Sequence, residues 1–359
     1  IYILYLNFIQ QNRRKEKMDK LLKLLGHYKC HLRRDDQSTA DLLEENFQQF
    51  VRDLSASITP SDNPIVGPQM CEMIYDKLEE IEQNAEDLVK VLRLYCNGNT
   101  LYASNMAFDI FSKMKPQLMQ CYSGAPITEI YFRIRKIGDI PFPLVRKELF
   151  HIPNSKNHLI GAERYSTAGY PCLYLASQPE LAWYECNCPQ KFAIAKFFIP
   201  QGPSHFLKFI NFSEKLVPLS HSFHTWFINE TEKIGVQRYL LKHIYSYPLR
   251  AACSVSTRYP NAKFIEEYIV PQLLLNWVRA NGEFDGIKYE SSSNNEDVYA
   301  SGGHNLVLVT RTFDSDGYDE KLRGHIKITL PQVYDTSNLS GNDPYLWSLC
   351  SERNDYNYI

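Results

Sequence analysis

The chain has 359 residues, more than one average domain needs, and reads as two domains with room for a sizeable core. Its 39 Lys and Arg against 41 Asp and Glu leave a formal net charge of -2, so no overall field draws it to nucleic acid or an anionic membrane. Nine scattered cysteines lack the paired spacing of a zinc ribbon or a thioredoxin, which fits a reducing cytoplasm.

The opening Ile1 to Ile9 is apolar but too short to span a bilayer, and the basic run Arg13-Arg14-Lys15 follows it. A secretory leader puts its charge first, so none is expected, and no later stretch reaches membrane length. Residues 16 to about 122 read as helices. Met18, Leu21, Leu22 and Leu25 share one helical face, and Leu43, Phe47, Phe50 and Val51 share another, with Ser38 or Thr39 as N-cap. A turn cluster over 58–64 precedes a third helical pattern from Met70 to Arg93. Asn97-Gly98-Asn99 breaks it, and a last helix runs from about Ser104 to Lys115 and ends near Pro116.

From Ile127 the texture changes to short β-branched and aromatic runs: Ile130–Ile134, Cys172–Ala176 and Ala193–Ile199. Pro179 starts a helix that carries Glu185, because proline's missing donor does no harm in a first turn. A helix over Phe264–Val278 is interrupted by Pro271, and a strand follows at Asn305–Val309. These signals divide the chain into a helical part, 1–122, an α+β part, 127–335, and a tail, 336–359.

The window from 131 to 185 sets Arg133, Arg164, Tyr174 and Glu185 in an apolar context where burying charge needs a reason. Arginine offers a planar fork for a carboxylate or a diphosphate, tyrosine stacks on or bonds to a ring, and glutamate stabilises an electron-poor sugar carbon. That set suits cleavage of an N-glycosidic bond whose leaving group is already cationic, such as nicotinamide leaving NAD+, because the departing ring gains electrons and needs no general acid. The same residues also suit a plain structural role: a buried Arg164–Glu185 pair, a core Tyr174 and a polar loop over Ser291–Ser293. Cys186 and Cys188, beside Glu185, read as buried thiols. His221 and His224 read as a polar loop, since no third ligand stands at metal-binding spacing.

The whole pattern is more specific. Tyr131-Phe132-Arg133, then Arg164-Tyr165-Ser166 with Gly169, Pro171 and Leu173-Tyr174-Leu175-Ala176, then Pro179-Glu180-Leu181-Ala182 with Glu185, and downstream Phe284-Asp285-Gly286-Ile287 with Asn305-Leu306-Val307-Leu308, resembles the RES domain, named for its Arg, Glu and Ser. The resemblance covers about residues 127–312. It implies a fold similar to ADP-ribosyltransferases, with a central mixed β-sheet behind the helical part, and an enzyme that degrades NAD+ by hydrolysis or phosphorolysis as the toxin of a bacterial toxin–antitoxin pair.

Carried over residue by residue, it makes Arg164, Glu185 and Ser291 the family residues, with Arg133, Tyr174 and Ser292 lining the substrate pocket. Ser292 and Ser293 follow Ser291 directly and compete with it for the family position. This chain has Glu163-Arg164-Tyr165-Ser166 where many members have Gly-Gly-Arg-Trp-Asn, so the turn before the arginine is expected to differ in shape. The implied substrate is NAD+, with inorganic phosphate as a co-substrate for phosphorolysis and no resident cofactor or metal. The implied partner is an antitoxin, with oligomerisation left open and neither nucleic acid nor membrane expected.

Two other readings stay open. An ADP-ribosyltransferase would modify a macromolecule, but such enzymes often carry a second acidic residue two positions before the glutamate, and here Trp183 stands there. A non-enzymatic module would bind nucleotide without consuming it.

Overall fold

The computed structural model describes residues 19–28, 30–33, 35–64, 66–118, 127–139, 144–201, 207–213, 230–291, 303–337 and 354–359. Met18, Ser292, Ser293, His205, His221, His224 and the apolar opening stretch lie outside them. The chain forms two compact units: residues 1–118 with 214–266, and residues 119–213 with 267–359. The stretch 214–266, inside the span expected for the α+β part, thus groups with the helices.

The first unit is helical because its apolar residues recur at helical spacing and its turns are capped. Helix α1 covers Lys20–His27 and buries Leu21, Leu24 and Leu25, so Leu24 rather than Leu22 faces inward. Helix α2, Thr39–Ser57, buries Leu43, Phe47, Phe50, Val51 and Leu54, and the Ser38 hydroxyl caps it by accepting from the Asp41 backbone N–H. The expected Met70–Arg93 helix is two helices, α3 over Pro68–Tyr75 and α4 over Leu78–Cys96, parted at Asp76 and Lys77. Helix α5 runs Thr100–Leu118 straight through Pro116, which so near the end forfeits little of the hydrogen-bond ladder. Helices α6 (Glu230–Tyr245) and α7 (Tyr247–Cys253) complete the unit. Tyr245 donates to Glu80 at 2.5 Å and Tyr247 donates to Asn46 at 2.8 Å, so both buried phenols find partners among the N-terminal helices.

The second unit is built on a mixed sheet with strand order β4-β5-β6-β2-β1-β3-β7, β8 pairing with β3. The strands are β1 Ile127–Lys136, β2 Cys172–Ala176, β3 Lys191–Gln201, β4 Phe209–Asn211, β5 Gly286–Glu290, β6 His304–Val309, β7 Lys327–Ile328 and β8 Gln332–Asp335. Among the described strands only β4 and β5 run parallel. Gly286 is required where it stands, because a Cβ there would collide with the carbonyl oxygen of Val307. One face of the sheet carries Leu173, Leu175, Leu306 and Leu308 with Phe150 and Leu322. The other packs Phe132, Ile134 and Ala176 against Leu181, Ala182 and Trp183 of helix α8, Pro179–Glu185. Helix α9, Ile269–Asn281, is continuous, because Pro271 falls in its first turn and breaks no hydrogen bond. Helix α10 covers Glu320–His325. Among the described residues no helix is long and apolar enough to cross a membrane.

Candidate active site

The position of Glu185 follows from local rules. Strand β2 ends at Ala176, Pro179 opens α8, and Glu185 is the last residue of that seven-residue helix. The helix stops in a left-handed turn: Asn187 and Cys188 have φ of 61° and 49°, the Cys188 N–H bonds to the Trp183 carbonyl at 3.0 Å, and that of Asn187 to Tyr184 at 2.9 Å. This turn puts Cys188 on the surface and leaves Cys186 partly covered, so neither is the buried thiol expected; the buried ones include Cys71, Cys172 and Cys253.

Two neutral donors hold the Glu185 carboxylate. Its Oε1 accepts from Ser291 Oγ at 2.6 Å and from Asn305 Nδ2 at 2.8 Å. Ser291 is the residue just past β5 and Asn305 the second residue of β6, so adjacent strands deliver both donors. Both donor residues are buried and the glutamate itself is exposed, which leaves the carboxylate reachable from solvent.

Arg164 lies 9 % exposed in the turn before β2, its guanidinium 5.1 Å from the centre of the Tyr268 ring. The turn closes by two backbone bonds between Glu163 and Ser166 and is tied to α9, where Gln272 Nε2 donates to the Glu163 carbonyl at 2.9 Å. Tyr174 donates from its hydroxyl to Ser166 Oγ at 3.0 Å, which binds β2 to the same turn. Tyr289 packs on the same turn, its ring 4.5 Å from that of Tyr165. Burial and then the negative Glu185 push the Tyr289 phenol well above its ordinary pKa, while Arg164 pulls against them. Arg164 and Glu185 therefore both act on one buried hydroxyl. Arg164, Tyr174, Glu185 and Ser291 are brought together; Ser292 lies outside the described residues.

Residues 144–326 match the RES domain family, about half of the chain. The chain belongs to that family. It is also 26% identical over 282 residues to the protein named "Putative toxin YopC" of Bacillus subtilis (strain 168), covering 75% of this chain and 62% of that relative. The match therefore spans less than two thirds of the relative's own length. No solved structure matches the chain.

Arg133, on β1 ahead of the matched span, sits where the sheet opens. The β1–β2 ladder holds a single registered pair, Phe132 with Ala176, so the backbones of Arg133 and Tyr174 are not tied to each other. The Arg133 and Arg135 guanidinium groups both donate to the Phe150 carbonyl, at 3.0 and 3.1 Å. Burial first, and Arg135 second, lower the Arg133 pKa; among the described residues no carboxylate pairs with it. A guanidinium held, among the described residues, by a neutral acceptor alone suits an anion.

Sequence reasoning missed three members of this cluster. Asn305 was legible as a polar residue opening an otherwise apolar strand, and it is 4 % exposed. Tyr289 had the alternation of β5 as its signal. Glu163 stands beside Arg164 in the quoted motif. Burial of its carboxyl and then the Glu185 charge raise its pKa, although the residue as a whole is exposed. Trp183, two residues before Glu185, is 9 % exposed and donates from Nε1 to the Pro189 carbonyl at 3.0 Å, so it is spent on packing.

Proposed function

We propose that this RES protein cleaves the nicotinamide–ribose bond of NAD+ and acts as a toxin by depleting it. The observation that carries the reading is the Glu185 carboxylate, oriented by the neutral donors Ser291 and Asn305 and paired with no cation among the described residues. Its negative charge is thereby left available to a positive carbon. Arg164, and Arg133 at the sheet opening, suit the diphosphate, and Tyr174 suits the nicotinamide–ribose end.

The chemistry balances without a general acid. The C1′–N bond breaks and its electron pair passes to the pyridinium ring, which leaves as neutral nicotinamide. Glu185 stabilises the oxocarbenium-like sugar, and an oxygen of water or of inorganic phosphate forms the new bond to C1′. The product is ADP-ribose or its phosphate ester, and the proton of the attacking group goes to solvent. A toxin of this kind would poison its own host unless restrained, which supports a cognate antitoxin that plugs the pocket entrance or holds the toxin in an oligomer.

The test is incubation of the purified chain with NAD+, with and without phosphate, followed by mass spectrometry. Nicotinamide with ADP-ribose identifies hydrolysis, and nicotinamide with ADP-ribose phosphate identifies phosphorolysis. NAD+ bound but unconsumed under every condition would overturn the reading in favour of a binding module, and ADP-ribose found on a protein or nucleic acid would turn it into a transferase.

A further inference from the structure

The second unit holds another cavity that this chemistry does not use. Its volume is about 590 Å³, within the range of small-molecule sites, and its walls include Asn154, Asn157, Tyr170, Arg279, Arg311 and Phe313. The wall at Asn154 is built to stay put: its N–H bonds to the Gly317 carbonyl at 2.8 Å, and Gly317, at φ +84°, has no Cβ to press on that turn.

The cavity lies away from Glu185. Strand β6 starts beside Glu185, at Asn305, and reaches the cavity at Thr310, about 16 Å on at strand rise. Helix α9 gives the same answer, since Tyr268 under Arg164 and Arg279 in the cavity are about 16 Å apart at helical rise.

The cavity is basic and aromatic. Arg279 has neutral acceptors only among the described residues: the Thr310 carbonyl at 3.3 Å, Asn276 Oδ1 at 3.4 Å and Cys172 Sγ at 3.3 Å. These are long contacts that leave its charge largely unspent. Its guanidinium lies 5.0 Å from the centre of the Tyr170 ring, and Tyr170 is 55 % exposed, so the ring is held in place yet keeps surface for a ligand. Arg311 is balanced by Asp285 at 3.4 Å, an oxygen it shares with Lys321 at 2.5 Å, and by the nearby Asp319, so the uncompensated charge on the wall is that of Arg279. The side-chain amides of Asn154 and Asn157 are exposed and make no hydrogen bond among the described residues. A cation without a counter-charge, two aromatic rings and two free carboxamides are the groups that recognise a phosphate, a planar base and its polar edge.

We infer that this cavity is a second ligand site, separate from the Glu185 centre, for a phosphorylated nucleoside, with Arg279 on the phosphate and Tyr170 against the base. The experiment is calorimetric titration of ADP into the Glu185→Gln chain, compared with the same chain carrying Arg279→Gln or Tyr170→Ala, alongside inorganic phosphate as a second probe. Each added substitution is expected to weaken one class of ADP site at least tenfold, with phosphate alone binding far more weakly than ADP. Unfolding midpoints of the variants, equal to that of the parent, exclude loss of fold as the cause.

Three results would overturn the proposal. The first is ADP binding indifferent to Arg279 and Tyr170, including no binding at all. The second is phosphate binding as tightly as ADP, which makes the cavity a plain anion site. The third is Arg279→Gln in the otherwise unaltered chain raising KM for NAD+ tenfold, which makes the cavity an extension of the substrate's own site.

Discussion

The two faces of one sheet hold carboxylates under opposite conditions. On one face Glu129 is neutralised: Lys288 Nζ lies 2.6 Å from its Oε1, the Tyr131 hydroxyl donates to Oε2 at 2.8 Å, and the lysine side chain is only 6% exposed. On the other face Glu185 receives, among the described residues, only the uncharged donors Ser291 and Asn305. Neighbouring residues serve the two sides in turn. Lys288 and His304 serve Glu129 and Tyr131, while Tyr289 and Asn305, one position along the same strands, serve the site. The period of two along a strand thus separates an ion pair from a carboxylate that has no cation beside it among the described residues. Burial and Lys288 also push the His304 imidazole down to about 4, so at neutral pH it adds no second cation beside Lys288.

The largest expected effect breaks the structural side. Glu129→Gln strands the Lys288 ammonium in the sheet and should cost about 3–5 kcal/mol of unfolding free energy, read from urea denaturation. Adding Lys288→Met should recover most of it, since an apolar group of similar length needs no counter-charge. A double variant as unstable as the single one would show that the pair is not what Glu129 is for.

The next effect breaks the chemical side. Glu185→Gln keeps an acceptor for Ser291 and Asn305 but removes the charge, so NAD+ turnover should fall by about 10²–10³ with the unfolding midpoint nearly unchanged. Full NAD+ loss with this variant would remove Glu185 from the mechanism. A smaller loss, about tenfold in kcat, is expected for Asn305→Ala, which leaves Ser291 as the remaining donor to Glu185. Recovery of most of that activity in Asn305→Gln would be unexpected, because the longer side chain moves the amide out of line, and it would argue that Asn305 only fills space.

Much of this arrangement was legible in the chain. Cys172–Ala176 announced β2 by its apolar run, Pro179 announced α8, and together they placed Glu185 on the helix after the strand. The α+β class and the family followed from the same window. What stayed hidden depends on contacts between residues distant in sequence. Asn305 is polar at a strand start, but that it meets Glu185 rather than solvent is settled by the β2–β6 pairing, Ala176 opposite Asn305. The grouping of 214–266 with the helices is likewise a matter of tertiary packing, with no break in composition to mark it. Pro271 misled because a proline reads as an interruption unless the helix start is known, and here the helix begins two residues before it.

Glu163 offers the smallest effect and the sharpest test of how open the site is. Its pKa is raised by burial of the carboxyl and by Glu185, so the folded state holds this proton more tightly than the unfolded chain does. Between the ordinary glutamate pKa, about 4.3, and the raised one, the folded state binds more protons, so this group's contribution to stability falls as pH rises through that window and stays lower above it. Glu163→Gln removes the penalty. Because the residue is exposed the gain is small, about 0.5 kcal/mol at pH 7, and it should shrink toward zero at about pH 3, below the ordinary glutamate pKa, where Glu163 is protonated in the folded and the unfolded chain alike. Denaturation at the two pH values measures it. Repeating the pair in a Glu185→Gln background then asks where the penalty comes from: a gain that persists assigns it to burial, and a gain that shrinks assigns it to the repulsion between the two carboxylates. The second outcome would mean that a positively charged ligand entering the site relieves both groups at once, which would tie the stability of the unliganded protein to the charge that the proposed reaction brings to Glu185.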